Sequence, residues 1–171
     1  MIITSQVPYT NYSTIPGHII YKNDDLIDAT ENVIAHGCNC EGYMHRGFAN
    51  IIRLKYPKLF TIYAGYCKLQ QFITGSVFVY KIDGKEIWNL ATQKTRFSGA
   101  RLKFIKQSLE NAICNNQNEK IIAIPKIGCN YGKLNWELQV LPLLTKICKQ
   151  YGVTFVVYSL DSPMLSKSDP I

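Results

Sequence analysis

Two periods alternate along this chain. Short apolar runs of strand length occur at "HIIYK" (18–22), "NVIAHGCN" (32–39), "KIIAIPKIG" (120–128) and "VTFVVYSL" (153–160). Between them the spacing turns helical. From Gly47, the residues Phe48, Ile51 and Ile52 share one face; Pro57 then interrupts, and Leu59, Ile62, Tyr63 and Tyr66 resume the pattern. "RLKFIKQSLENAICNN" reads as an amphipathic helix burying Leu102, Ile105, Leu109, Ala112 and Ile113. "NWELQVLPLLTKICKQYG" reads as another, with Trp136, Val140, Leu144 and Ile147 on one side and Asn135 as its N-cap. "GSVFVYKIDGKEIWNLAT" is a hairpin signal, two apolar runs joined by Asp-Gly. Helices alternating with strands, two of them apolar on both faces, predict an α/β sandwich around a mixed sheet.

The pattern also sets boundaries. Residues 1–17 are polar and turn-rich, an extension or an added edge strand. Residues 18–160 form one domain, with no repeat or linker, and 161–171 are a polar tail. At 171 residues and 47% hydrophobic content, the chain has the size and composition of a single globular core. No apolar run approaches about 18 residues, so no membrane-spanning helix is expected. The N-terminus lacks a basic-then-apolar signal. Six cysteines (38, 40, 67, 114, 129, 148) lie in or beside apolar segments and read as reduced thiols, which places the protein inside a cell. A net charge of +7 favours anionic partners, nucleotides and nucleic acid among them, although no basic run forms a dedicated nucleic-acid arm.

"HGCNCEGYMHRGFAN" (36–50) concentrates the chemistry. Its cysteines are spaced C-x-C. A structural zinc site wants a wider pair and a second pair at a distance, and a dithiol redox centre wants C-x-x-C. Neither is present, so no metal and no cofactor are expected. The stretch reads better as a loop built for a ligand. Two glycine-bearing loops, "NCEGYMHRGFA" and "IGCNYGKLNW", each leave a strand and enter a helix. Such loops aim backbone N–H groups and a helix dipole at one point, and two of them at one sheet edge can hold a diphosphate. Glycine turns also serve ordinary connections, so one loop alone would not decide it.

The order "NDDLID … VIAHGCNCEGYMHRGFA … RLKYP … GSVFVYKIDGKEIWNLATQK … IAIPKIGCNYGKLNW … FVVYSL" resembles the macro domain over roughly residues 18–160. It is most similar to the ADP-ribose-1″-phosphate phosphatase and terminal ADP-ribose glycohydrolase branches, and to antitoxin macro domains that strip ADP-ribose from DNA. The resemblance implies a mixed sheet between helices and ADP-ribose as ligand. It implies that Asp25 bonds the adenine amino group, with Leu26 beside it, and that Asn39 faces the distal ribose. Gly42, Met44, His45, Arg46 and Gly47 would belong to the first phosphate loop. Gly128, Cys129, Asn130, Tyr131, Gly132, Lys133 and Leu134 would form the second. Each has a plainer alternative: Asp25 as a turn cap, Asn39 as a turn former, Tyr131 as an exposed ring, Trp136 as core.

The chain departs from the family pattern at four places. His45 stands where a glycine is usual, either narrowing the distal-ribose pocket or joining Arg46 as positive charge near a terminal phosphate. Asn130 replaces a glycine, a gentle exchange because asparagine visits the left-handed region readily. The glycohydrolase lysine position is Gln93, with Lys94 one residue on, so Lys94 could serve only if the strand ends or bulges before it. The acid position of that chemistry is Gly132. In the phosphatase branch the candidate catalytic group maps to His36, a residue of ordinary pKa near neutrality or else a satisfied core histidine. The sequence therefore leads to an ADP-ribose-binding domain that hydrolyses ADP-ribose-1″-phosphate, with His36 and Asn39 as catalytic candidates. The alternatives are a non-catalytic nucleotide binder and a glycohydrolase acting on ADP-ribosylated protein or nucleic acid.

Overall fold

A computed structural model describes residues 17–160. The expected N-terminal extension, apart from Gly17, and the C-terminal tail lie outside the described residues. Six strands form one sheet: β1 (Ile19–Lys22), β2 (Val33–Asn39), β3 (Val77–Ile82), β4 (Lys85–Gln93), β5 (Ile121–Pro125) and β6 (Thr154–Tyr158). Their spatial order is β1-β6-β5-β2-β4-β3. All neighbours are parallel except the β3/β4 hairpin. That hairpin turns on Asp83 (φ 49) and Gly84 (φ 76), the two consecutive positive φ values a tight two-residue hairpin requires.

Helices cover both faces. Val33, Ala35, Trp88 and Leu90 of β2 and β4 face α3 (Leu102–Asn115) and α4 (Leu141–Tyr151). Ile34, Cys38, Ile87 and Ala91, the alternate residues, face α1 (Gly47–Lys55) and α2 (Pro57–Lys68). The predicted fold class is thus the one observed. Helix α3 buries Ile105, Leu109, Ala112 and Ile113 as its spacing required. Asn135 does cap, accepting from the Leu138 N–H at 2.8 Å. The segment after it differs from expectation, because Trp136–Val140 is a π turn and α4 begins only at Leu141. Pro142 explains the widening: it has no N–H to give the preceding turn. Ile51 also differs. Helix α1 buries Ile52, with Phe48 packed on the same core, while Ile51, one position round, is exposed.

A polar knot ties β1 to β6 and to the chain entering β2. Glu31 accepts from Lys22 Nζ at 2.7 Å and from the Tyr158 hydroxyl at 2.6 Å. Burial alone would raise the Glu31 carboxyl, but those two donors and the Lys22 charge hold it below its ordinary value. Burial would lower Lys22; its bonds to Glu31 and Tyr158 reverse that and raise it. A carboxylate with a depressed folded pKa contributes stability above its unfolded pKa and loses it as pH falls through the folded value. Glu31→Ala should cost about 2 kcal/mol, discounted for the partial exposure of Lys22. Urea denaturation at pH 7 and pH 4 checks this: the penalty should shrink at the lower pH.

Candidate functional site

The carboxyl ends of β2, β4 and β5 open into one cleft of about 220 Å³. Three segments wall it: the loop from Asn39 into α1, the end of β4 with the turn after it, and the loop from Pro125 to Gly132. In parallel β2 and β5 these edges must release their connections on the same side, which is what brings the two glycine loops together.

The first loop is held from within. Asn39 is only 6% exposed. Its Oδ1 accepts from the Glu41 and Tyr43 amides (3.0 and 3.3 Å), and the Tyr63 hydroxyl donates to the Asn39 backbone carbonyl at 2.7 Å. Its Nδ2 donates to the Tyr43 carbonyl at 2.7 Å, leaving one amide hydrogen free of that bond. Arg53 Nε donates to the Met44 carbonyl from α1. Gly42 has φ 78, a conformation side chains rarely adopt, and a Cβ there would meet Ala64 of α2 at ordinary contact distance. Helix α1 then starts without a side-chain cap at Arg46, and its first helical bond runs from the Asn50 amide to the Arg46 carbonyl. The amides of Gly47, Phe48 and Ala49 precede that bond and have no acceptor within the helix, and these three residues line the cleft.

The second loop doubles back on itself. The Leu134 amide donates to the Gly128 carbonyl at 2.8 Å, and the Ala100 amide to the Gly132 carbonyl at 2.9 Å. A Cβ on Gly132 would come within 2.7 Å of Gly128 Cα and 2.8 Å of Ala100 Cβ. No side chain fits there, so the place the family resemblance gives to an acid is closed to any side chain in this packing. The left-handed non-glycine residue of this loop is Lys133 (φ 65); Asn130 is not among the positive-φ residues, so its exchange for glycine makes no demand on that region.

His36 lies at the cleft floor but is only 1% exposed. Its Nε2 is 2.7 Å from Asn89 Oδ1. The Asn89 amide donates to the Phe78 and Ile87 carbonyls, so its oxygen accepts and Nε2 carries the proton. The ring packs edge-on against Phe48, and the Cys38 sulfur stands 3.8 Å from Nδ1. Burial pushes its pKa down to about 4, and the Asn89 bond offsets only part of that. This environment tells against the expected proton work, because a base of such low pKa has little proton affinity at neutral pH.

The cleft thus gathers His36, Asn39, Arg46, Gly47, Gly128, Asn130, Tyr131 and Gly132 among the residues singled out from sequence. Others fall outside its lining. Asp25 caps the 3-10 turn Leu26–Asp28, accepting from the Ile27 amide, while Leu26 and Met44 are core. Cys129 and Leu134 pack against the α3/α4 core, and Lys133 is exposed. His45 settles its own question: it turns to Tyr43 and Phe60 (ring centroids 4.9 and 5.9 Å) and neither walls off nor lines the cleft. Gln93 lines the cleft and donates to the Thr95 carbonyl. β4 does end there, with a register irregularity opposite Cys38 and Asn39, yet Lys94 is exposed and off the lining. Sequence reasoning passed over Tyr43, Arg96 and Lys126, which also line the cleft. Adjacency to Gln93 and to the second loop was the available signal for the last two. Among the described residues no group of three His, Cys, Asp or Glu could hold a metal ion. The thiols are free, Cys38, Cys67 and Cys148 buried and Cys114 exposed. No described helix is long and apolar enough to cross a membrane.

The family model described as "Macro domain" matches residues 35–140. The "DNA ADP-ribosyl glycohydrolase" of Mycobacterium tuberculosis is 32% identical over 146 residues, covering 82% of this chain and 42% of that protein. The chain therefore spans less than half the length of that relative. The "ADP-ribose 1''-phosphate phosphatase" of Scheffersomyces stipitis is 24% identical over 155 residues, 74% of this chain and 87% of its own. Among solved structures, the macrodomain of Mycobacterium tuberculosis DarG superposes with a TM-score of 0.74 at 30% identity, covering 83% of this chain and 97% of that one.

Two outcomes follow from this geometry. Gly132→Ala should destabilise the fold by about 3 kcal/mol, measured by urea denaturation, because backbone atoms rather than a flexible side chain oppose the new Cβ. His36 should remain the neutral Nε2–H tautomer in ¹⁵N NMR down to about pH 4. Its folded pKa lies below the ordinary 6.5, so the unfolded chain takes the proton first. Stability present above pH 6.5 is lost as pH falls toward 4, by about 3 kcal/mol. His36→Gln should flatten that part of the stability–pH curve.

Proposed function

Because the chain belongs to the macro domain family, we propose that its cleft binds ADP-ribose and that its reaction is removal of phosphate from ADP-ribose-1″-phosphate. In this reading the diphosphate lies between the free amides of Gly47, Phe48 and Ala49 and the loop Gly128–Gly132. The distal ribose points toward Asn39 and Gln93, where the remaining Asn39 amide hydrogen can meet a ribose hydroxyl. The adenine lies beyond Pro125, where the Leu26–Asp28 turn packs beside β5 and Asp25 is within the same neighbourhood.

One observation carries the choice of reaction: the cleft offers oriented amides and cations but no lysine at the end of β4, where Gln93 stands, and no acid on its lining. Gln93 fills the lysine position, Lys94 is off the lining, and Gly132 has no room for a carboxylate. Phosphoryl transfer tolerates that set of groups. Its transition state is loose, so positioning and charge stabilisation do most of the catalysis. Water attacks phosphorus, the bond from phosphorus to the 1″ oxygen breaks, and ADP-ribose leaves with that oxygen as its hydroxyl. His36 then serves as a neutral floor that orients the loop end of β2 rather than as the proton acceptor.

A second reading, release of ADP-ribose from DNA, is favoured by the 32% identity to a DNA ADP-ribosyl glycohydrolase over 82% of the chain. Both are tested by incubating the protein with ADP-ribose-1″-phosphate and with ADP-ribosylated single-stranded DNA, measuring phosphate and free ADP-ribose. Phosphate release alone supports the first reading; ADP-ribose release from DNA alone replaces it with the second. Calorimetric ADP-ribose binding with neither product marks a non-catalytic binder. Under the first reading His36→Gln lowers kcat by less than about tenfold, whereas loss of a true general base costs about 10² to 10⁴.

A further inference from the structure

The cleft mouth carries a feature that the amide loops do not require. Tyr43, Arg96, Phe97, Arg46 and Tyr131 form an alternating row of rings and guanidinium groups. The Arg96 guanidinium carbon lies 4.6 Å from the Tyr43 ring centre and 5.1 Å from that of Phe97. The Arg46 carbon lies 5.9 Å from Phe97 and 5.7 Å from Tyr131. One ring therefore holds both cations, which come from different segments. Phe97 is 63% exposed and Tyr131 52% exposed, so neither ring is there to fill a core. Among the described residues neither guanidinium is in an ion pair. The nearby Glu41 carboxylate accepts from the Arg96 backbone amide at 2.8 Å, which fixes the turn that presents Arg96. Both arginines line the cleft, Arg46 at the entry to α1 and Arg96 three residues past Gln93.

We propose that Arg46 and Arg96 form a two-sided receptor for a terminal phosphate on the ligand that fills the cleft. The proposal rests on the binding reading above, in which the distal ribose points toward Asn39 and Gln93; a phosphate on that ribose then emerges between the two guanidinium groups. Two like charges held near one ring repel each other until a doubly charged anion enters between them. Arginine supplies paired N–H donors that match phosphate oxygens, and the ring faces keep those donors aimed without consuming them. Phe97 is the positioning residue, because it is the ring the two cations share.

The test compares the wild type with the double variant Arg46→Gln/Arg96→Gln. Affinities for ADP-ribose and ADP-ribose-1″-phosphate are read by stopped-flow competition against a fluorescent ADP-ribose, before turnover. The wild type should prefer the 1″-phosphate by about tenfold or more, and the double variant should bring the two ligands within about twofold of each other while ADP-ribose itself changes little. Phe97→Leu, which keeps both charges but removes the ring, should lose part of the preference. Equal weakening of both ligands in the double variant, or no preference in the wild type, overturns the receptor. Inorganic phosphate supplies an arm that needs no nucleotide: it should raise the melting temperature of the wild type clearly more than that of the double variant, which keeps only the amide loops. If ADP-ribose fails to bind, the reading of the cleft falls, and the phosphate arm still decides the receptor. An unmodified single-stranded oligonucleotide supplies the last arm. If the double variant abolishes oligonucleotide binding but keeps the 1″-phosphate preference, the row is a strand-binding rim and the proposal is overturned.

Discussion

The architecture of the cleft depends on one close approach of backbone to backbone. Gly132 lies so near Gly128 and Ala100 that no Cβ can stand between them. Because of that contact, the second loop can close through the Leu134-to-Gly128 bond and lean on the chain entering α3 through the Ala100-to-Gly132 bond. The same contact decides chemistry. It keeps Gly132 as bare main chain, so this wall of the cleft offers amide dipoles rather than side-chain functionality. A site of this kind binds by shape and by fixed partial charge, which favours an anion whose charge is spread over several oxygens.

Much of this was legible from the order of residues, and for identifiable reasons. The β2, β5 and β6 runs could be read because parallel central strands are buried on both faces and leave uninterrupted apolar stretches. The hairpin could be read because Asp83-Gly84 supplies two left-handed residues in a row. The two loops could be read because a strand, a glycine and a helix follow one another twice, and the resemblance to macro domains drew the rest into order. What escaped was whatever depends on side-chain direction. His45 could not be seen to turn toward Phe60, because its position in the loop says nothing about which rings of α2 stand nearby. Intrinsic preference drew attention to Asn130 as the residue able to turn left-handed, whereas the residue with positive φ beside the closing bond to Gly128 is Lys133. Preference ranks residues; closure of a short loop selects the position.

His36 shows the same limit in chemical form. A histidine at a strand end beside a ligand loop has an ordinary pKa near neutrality, and sequence offers no reason to move it. Its partner, Asn89, lies 53 residues away on β4 and is brought opposite only by the register of two parallel strands. That cross-strand bond spends the Nε2 proton, and burial removes the charge. The residue that carried the expected proton chemistry is left as a neutral ring with its Nε2 committed to Asn89.

Charge in this site is accordingly layered by depth. The floor is neutral: an uncharged imidazole, the buried Cys38 thiol whose pKa burial raises, and an asparagine whose oxygen is held by its own loop. The middle holds partial charges on amides. Full cations, Arg46, Arg96 and Lys126, stand only at the exposed rim. Physics favours that order, since a guanidinium at the floor would forfeit its hydration without a carboxylate to replace it. At the rim the same group keeps water on its edges and rests its flat faces on Phe97 and Tyr131. A ligand entering this gradient meets long-range attraction first and short-range geometry last. On the proposed binding reading its anionic groups would be sorted by depth: those that can be satisfied by dipoles would pass inward, and a group carrying two full charges would stop where the arginines are.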